Sequence, residues 1–403
     1  MDQNTPLPLV APDMGLFEDG IKSFQGIKPP YARGGGTSAT QILERACQAH
    51  LGNHRNTDPL SVAIVSSGQA ANHVVFKAIH GGDLVSSSHL FGTTKVDLKK
   101  TFERTGGKIA WVDPGDTQAF IDNTTLATTT WFLEAISNPA GRVPDFESLS
   151  HAARERGIML AVDATLAAGM PYFDGLKYAD VLTISLTKQA GGGQNLHTGG
   201  AILVGNNFAW EDKAARFPEF KEYFSDAAGT VVLPSSPFGA LASKISLHEG
   251  SGVIAPQSAL SIARSLPGMG DRVANMCENA RMLAEILDGH EKVNSVQLAG
   301  YKTNDVNDAC TQKYLGKNHF VILVDLKDGF AAAASFINAQ QFAHAVALGQ
   351  QNTAISHPAS STHRQYSKDE LAKMGIYPGT IRISVGCEAP RTLARKLRRA
   401  LTF

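Results

Sequence analysis

The chain is poor in the features that mark a secreted, membrane-bound or nucleic-acid-bound protein. It has only four cysteines in 403 residues (Cys47, Cys277, Cys310 and Cys387), widely scattered and with no Cys-x-x-Cys pair. That spacing fits reduced thiols better than a disulfide framework. Charge of either sign is not in excess, with Lys+Arg and Asp+Glu both at 37. Net charge therefore gives no argument for a nucleic-acid partner. No apolar run approaches the length of a membrane span. Met1 to Pro12 lack the basic start and apolar core of a secretory leader. A cytoplasmic protein with no membrane partner is expected. Neither glycine run is followed by the Lys-Ser/Thr of a P-loop, which weakens a mononucleotide reading.

What is present is a large globular chain. A hydrophobic content of 43% with 18% charged residues supplies a sizeable core. The length favours two or three domains. The first forty residues carry Pro6, Pro8, Pro12, Pro29, Pro30 and Gly34-Gly35-Gly36, and read as an extended arm. Thr37 or Ser38 is placed to cap a helix through Ile42–Cys47. Short β-branched runs then alternate with helical stretches: strands at Ser61–Val65, Leu84–Ser86, Ile109–Val112, Thr130–Glu134, Ile158–Val162 and Val181–Ser185, and helices at 70–79 and 147–156. Ala201–Val204 is expected to return antiparallel. This alternation predicts an α/β fold with a mostly parallel sheet covered by helices on both faces.

Composition shifts near Val231–Phe238. Beyond it come helices at Ser258–Arg264 and Val273–Asp288, a strand at His319–Val324, helices at Ala331–Ile337 and Phe342–Ala347, and an alternating strand Thr380–Val385. The expected division is an arm with its first helix (1–45), a larger domain (46–235) and a smaller α+β C-terminal domain (236–403). The basic terminal stretch Arg391–Leu401 reads as a surface helix with cations near its C-terminal dipole.

The most informative stretch is Ala161-Val162-Asp163-Ala164-Thr165, followed by Leu182 through Ser185, Leu186, Thr187 and Lys188, and then Gly191-Gly192-Gly193. An acid closes one apolar run, and a lysine with two hydroxyls before it closes the next. Pyridoxal phosphate asks for this set: an amine to bond its aldehyde carbon, a carboxylate to hold a proton on its ring nitrogen, and hydroxyls for its phosphate. A lone lysine at a strand end is usually just solvated, but the surrounding residues argue against that here. Ser67, Glu134, Asp163 and Lys188 all fall at the carboxyl ends of strands, where parallel sheets bind ligands. Ser66-Ser67-Gly68-Gln69 between a strand and a helix also puts N–H groups where an anion can sit.

With these residues in view, the chain resembles the Cys/Met-metabolism family of pyridoxal-phosphate enzymes from about Tyr31 to its end. The motifs are Tyr31-Ala32-Arg33, Ser67-Gly68-Gln69, Leu133-Glu134-x-x-Ser137-Asn138-Pro139, Asp163-x-Thr165, Ser185-x-Thr187-Lys188, His357-Pro358-Ala359-x-x-Thr362-His363 and Arg382-Ile383-Ser384-Val385-Gly386. Leu90-Phe91-Gly92-Thr93-Thr94, Gly193-Gln194 and Leu348-Gly349 are similar to the O-succinylhomoserine sulfhydrylase branch. The resemblance implies a fold-type I transferase with a seven-stranded-type sheet, needing pyridoxal 5'-phosphate and no metal.

It also implies roles. Lys188 bonds the cofactor, Asp163 pairs with the ring nitrogen, Phe91 stacks on the ring, and Asn138 meets the ring oxygen. Gly68 and Gln69, with Ser67, Thr165, Ser185 and Thr187, serve the cofactor and its phosphate, and Tyr31 and Arg33 reach that phosphate from a neighbouring subunit of a homotetramer. Arg382 grips the substrate α-carboxylate, with Ala347 and Thr362 nearby.

Departures from the family pattern cluster around the substrate. Phe91 stands where most members have a tyrosine, Ala164 replaces an asparagine, and Ala347 lacks a hydroxyl. Gly34-Gly35-Gly36-Thr37 and the Gln194–Thr198 loop with His197 are unusual. The expected reaction is γ-replacement on an O-acylhomoserine by sulfide or a thiol. A γ-lyase acting on methionine, cystathionine or canavanine is the alternative, and a non-catalytic cofactor-binding protein is the third reading.

Overall fold

A computed structural model describes residues 37–51, 58–194, 196–250, 252–302 and 306–402. Tyr31, Arg33 and the Gly34–Gly36 run lie outside the described residues. The helix Ser38–His50 opens with a reciprocal cap between Thr37 and Thr40, as the sequence placed it.

Seven strands then build the larger sheet: β1 (Val62–Val65), β2 (Asp83–Ser87), β3 (Ile109–Val112), β4 (Thr128–Glu134), β5 (Met159–Asp163), β6 (Val181–Ser185) and β7 (Gly200–Val204). Their spatial order is β1-β7-β6-β5-β4-β2-β3. All neighbours run parallel except β7, which is antiparallel to both β6 and β1. The fold is thus an α/β arrangement with helices on both faces. Alternation within the strands sorts side chains to the two sides. Trp131 and Leu133 of β4 join one apolar cluster and Phe132 joins the other. The first cluster packs under the helices Ser38–His50, Phe146–Glu155 and Met269–Leu287, and the second under Gly68–Ile79 and Pro237–His248.

A smaller C-terminal domain carries the second sheet, made of β8 (Val293–Gln297), β9 (Val321–Leu326), β10 (Ala343–His344), β11 (Ala354–Ser356) and β12 (Thr380–Ser384). Its order is β10-β11-β12-β9-β8. One sequence expectation fails here. Phe342–Ala347 is not a helix. Ala343 and His344 pair in parallel with Ala354 and Ile355, and the chain then runs irregularly. The reason is tertiary: the carbonyls of Val346 and Ala347 accept hydrogen bonds from buried Arg382, so they are not available to a helix.

No helix among the described residues is long and apolar enough to cross a membrane.

Candidate active site

The carboxyl ends of β4, β5 and β6 meet the start of the helix Gly68–Ile79 around a cavity of about 250 Å³. Ser67, Gly68, Gln69, Phe91, Asn138, Asp163, Thr165, Ser185, Thr187 and Lys188 all line it. Three sequence candidates do not. The Thr362 hydroxyl is bonded to the His363 ring at 2.8 Å, Ala347 offers its carbonyl to Arg382, and Arg382 adjoins the lining through its bond to Asn138.

The helix start is shaped for an anion. Ser67 caps it, its hydroxyl accepting from the Ala70 N–H at 3.1 Å. The Gln69 side chain turns away to donate to Asp97 at 3.0 Å, leaving the first-turn N–H groups facing the cavity side. Gly68 is required by close approach: a Cβ there would lie 2.4 Å from the Ser185 Cβ. Gly200 serves the same junction, because a Cβ would sit 2.1 Å from the Ser67 carbonyl oxygen.

Asp163 is oriented by two donors, the Asn72 side-chain amide at 2.9 Å and the Thr165 N–H at 3.0 Å. The Thr165 hydroxyl accepts from the Ser185 N–H at 2.8 Å, so it stitches the ends of β5 and β6 together. The Thr187 hydroxyl is likewise occupied locally, accepting from the Gly199 N–H at 3.2 Å. Asn72 was missed by sequence reasoning. Its signal was its position one helical turn after Gly68, on the same helix face.

Lys188 is half-buried, and its amine is held below the usual lysine range by burial and then by the nearby Arg382 guanidinium, with Asp163 opposing. An amine that sheds its proton more readily is a better nucleophile and base. Beside it the Gln189 side chain donates to the Ala168 carbonyl at 3.2 Å and to Thr165. Gly192 and Gly193 have positive φ, and their carbonyls receive the Gln351 side chain at 2.8 Å and its N–H at 2.9 Å. They dock the C-terminal domain against the lysine turn.

Arg382 is only 1% exposed. It donates to the Val346 carbonyl at 2.7 Å, the Ala347 carbonyl at 3.2 Å and the Asn138 side chain at 3.3 Å. Its Nε has no partner, and burial lowers its pKa to about 10. A buried guanidinium with an unused donor calls for an anion. Asn138 is fixed further by the His363 ring, 2.9 Å from its carbonyl oxygen. Apolar walls come from Ile136, Leu166, Val346 and Leu348. His197 is bonded to Ser258 at 3.3 Å and does not line the cavity.

Residues 31–402 match the model of the Cys/Met metabolism PLP-dependent enzyme family. The chain belongs to this family. It is therefore a PLP-dependent enzyme of the transferase or lyase type. The site fits that group on structural grounds: a capped helix start whose glycine admits no side chain, an oriented carboxylate, a perturbed lysine and a buried arginine with a free donor.

Among relatives, O-acetyl-L-homoserine sulfhydrylase 1 of Thermus thermophilus is 32% identical over 83% of this chain and 81% of its own length. The homocysteine synthase of Schizosaccharomyces pombe is 32% identical over 80% of this chain and 77% of its own. Among solved structures, a Campylobacter jejuni protein described as an O-acetylhomoserine (thiol)-lyase, carrying N'-pyridoxyl-lysine-5'-monophosphate, superposes with a TM-score of 0.82. It is 23% identical and covers 100% of this chain and 94% of its own. A cystathionine gamma-lyase from Micromonospora echinospora gives 0.78 at 24% identity, covering 93% and 89%. At these identities the structural likeness speaks for the fold.

Proposed function

We propose that this enzyme replaces the γ-substituent of an O-acylhomoserine with sulfide or a thiol, giving homocysteine or a related amino acid. The observation that carries this reading is the run of sulfhydrylase and homocysteine-synthase relatives near 30% identity over about four-fifths of the chain. Phe91 in the cavity wall agrees with it. A phenylalanine stacks as a tyrosine does but brings no phenol to protonate a leaving group. A carboxylate released from an ester needs little such help.

When bound, pyridoxal phosphate supplies an electron sink that makes the carbons next to the amino nitrogen acidic. The chain's residues do the rest. The first-turn N–H groups of Gly68 and Gln69, with Ser67, Ser185 and Thr187 beside them, hold the phosphate. Asp163, braced by Asn72 and the Thr165 N–H, holds a proton on the ring nitrogen. Asn138 meets the ring oxygen. Arg382 takes the substrate α-carboxylate on its unpartnered side. Lys188 would hold the cofactor, and its Nζ, with a pKa below the usual lysine range, would be placed to take and return a proton beside the substrate. Ile136, Leu166, Val346 and Leu348 limit water, which favours capture by a thiol.

The same reading places the enzyme in the cytosol as a homotetramer in which Tyr31 and Arg33 of a neighbouring subunit complete the phosphate site. It is tested by a product assay with O-acetyl- and O-succinylhomoserine, each with and without sulfide. Homocysteine that appears only with sulfide is expected; release of 2-oxobutanoate independent of any thiol would contradict the reading and favour a γ-lyase.

A further inference from the structure

Glu134 ends β4 and is paired in register with Asp163 at the end of β5, so the two acids emerge side by side at the cavity. Only 5% of Glu134 is exposed, and neither oxygen is left over. Oε1 accepts from the Phe91 N–H at 2.5 Å, and Oε2 accepts from the Asn138 N–H at 2.9 Å. Phe91 and Asn138 come from different loops, 47 positions apart in the chain, and both line the cavity. Phe91 is also the residue that starts the helix Gly92–Thr105, and no side chain of that helix start caps it. Without the acid, its part-buried N–H would lose its side-chain partner. Burial and then the charge of Asp163 raise the Glu134 pKa to about 8, against the two N–H bonds, so the acid is protonated near neutrality. A carboxylic acid can still accept at both oxygens, so the two-point hold does not depend on its charge.

We propose that Glu134 is a positioning residue that ties the backbone of Phe91 to that of Asn138 and so sets the slot in which the cofactor ring lies. This inference rests on the ring occupying the cavity beside Lys188. One acid spans both walls: Phe91 provides the face and Asn138 the edge. A change at Glu134 therefore moves both contacts together and leaves the covalent anchor and the phosphate cradle untouched.

The test is Glu134→Gln, which keeps the shape but turns one acceptor into a donor, so that one N–H faces another N–H. The holoenzyme is examined for cofactor dissociation and for visible circular dichroism, which reports how firmly the ring is held in an asymmetric setting. The expected result is a dissociation constant raised at least tenfold and a weakened dichroic band, while the absorption of the lysine-bound cofactor persists. In a Phe91→Leu background the same substitution should cost less than in the parent, because the two act through one contact. A Glu134→Gln enzyme with dissociation and dichroism within twofold of the parent would overturn the proposal. If Glu134→Gln does not fold, Glu134→Asp decides by the same two readouts, since the shorter acid reaches at most one of the two N–H groups. Loss of the absorption altogether in a folded variant would also overturn it. Failure of the underlying site would show separately, as lysine-bound absorption that survives Lys188→Ala.

Discussion

At the scale of single residues, the site divides into groups the sequence displays and groups only the fold reveals. Lys188, Asp163 and the hydroxyls near them were legible because they sit at the ends of short apolar runs, where strand ends meet ligands. Asn72 was not, and His363 was visible only as part of a motif, without its contact. Asn72 reaches Asp163 across 91 positions, and His363 reaches Asn138 across 225. No local spacing encodes such a contact. Glu134 was placed at the cavity from sequence, but its partners were not visible.

Two predictions belong to this scale. Replacing Arg382 with lysine should raise the KM for the amino-acid substrate about a hundredfold, roughly 2.7 kcal/mol, because the fork that can grip a carboxylate is lost. Steady-state kinetics checks this, and an unchanged KM would remove Arg382 from substrate binding. Phe91→Tyr should keep cofactor affinity and raise activity on thioether substrates relative to the acyl ester by about tenfold, since a phenol can protonate a thiolate. The ratio of kcat/KM values for the two substrates measures it.

At the scale of elements, the strands were read well because their side chains alternate between two covered faces. The failure at Phe342–Ala347 is instructive. Its alternating small and apolar residues permit a helix, and only the pairing with Ala354 and Ile355 and the demand of Arg382 for carbonyls make it a strand and a loop. The helix Pro237–His248 shows a similar limit. Phe238, Leu241 and Ile245 share the core of the larger sheet, although the change in composition comes just before them. A composition shift marks a turn in the chain without saying which sheet the next helix covers.

The prediction here concerns the helix start at Gly68. Gly68→Ala must push Ser185 away from a 2.4 Å contact and should weaken cofactor binding by at least tenfold. Ser67→Ala removes the cap, and should cost about 1 kcal/mol of stability in the cofactor-free protein. Cofactor titration of the first and thermal unfolding of the second separate the two effects.

At the scale of the whole molecule, buried acids make stability depend on pH. Burial raises the Asp180 pKa to about 7, partly offset by the Leu160 N–H it accepts. A carboxyl raised in the folded state binds its proton more tightly there than in the unfolded chain, so its contribution is present in acid and lost as pH rises through 7. Glu134 acts in the same direction up to about 8. His319 and His363, both lowered to about 4 mainly by burial, act on the other side, losing stability as pH falls from 6.5 toward 4. Raising the pH from 6.5 to 8.5 should therefore lower the unfolding midpoint. Asp180→Asn, which keeps an acceptor for the Leu160 N–H, should recover about 0.8 kcal/mol of that loss, the rest being carried mainly by Glu134. Chemical denaturation at the two pH values checks both statements.

The central claim is that one lysine at the end of β6 anchors the cofactor between the two domains. Reducing the holoenzyme with borohydride fixes the cofactor–lysine bond, and peptide mass mapping then locates it. The account predicts the added mass on Lys188 alone. Labelling of any other lysine, with Lys188 unmodified, would contradict it.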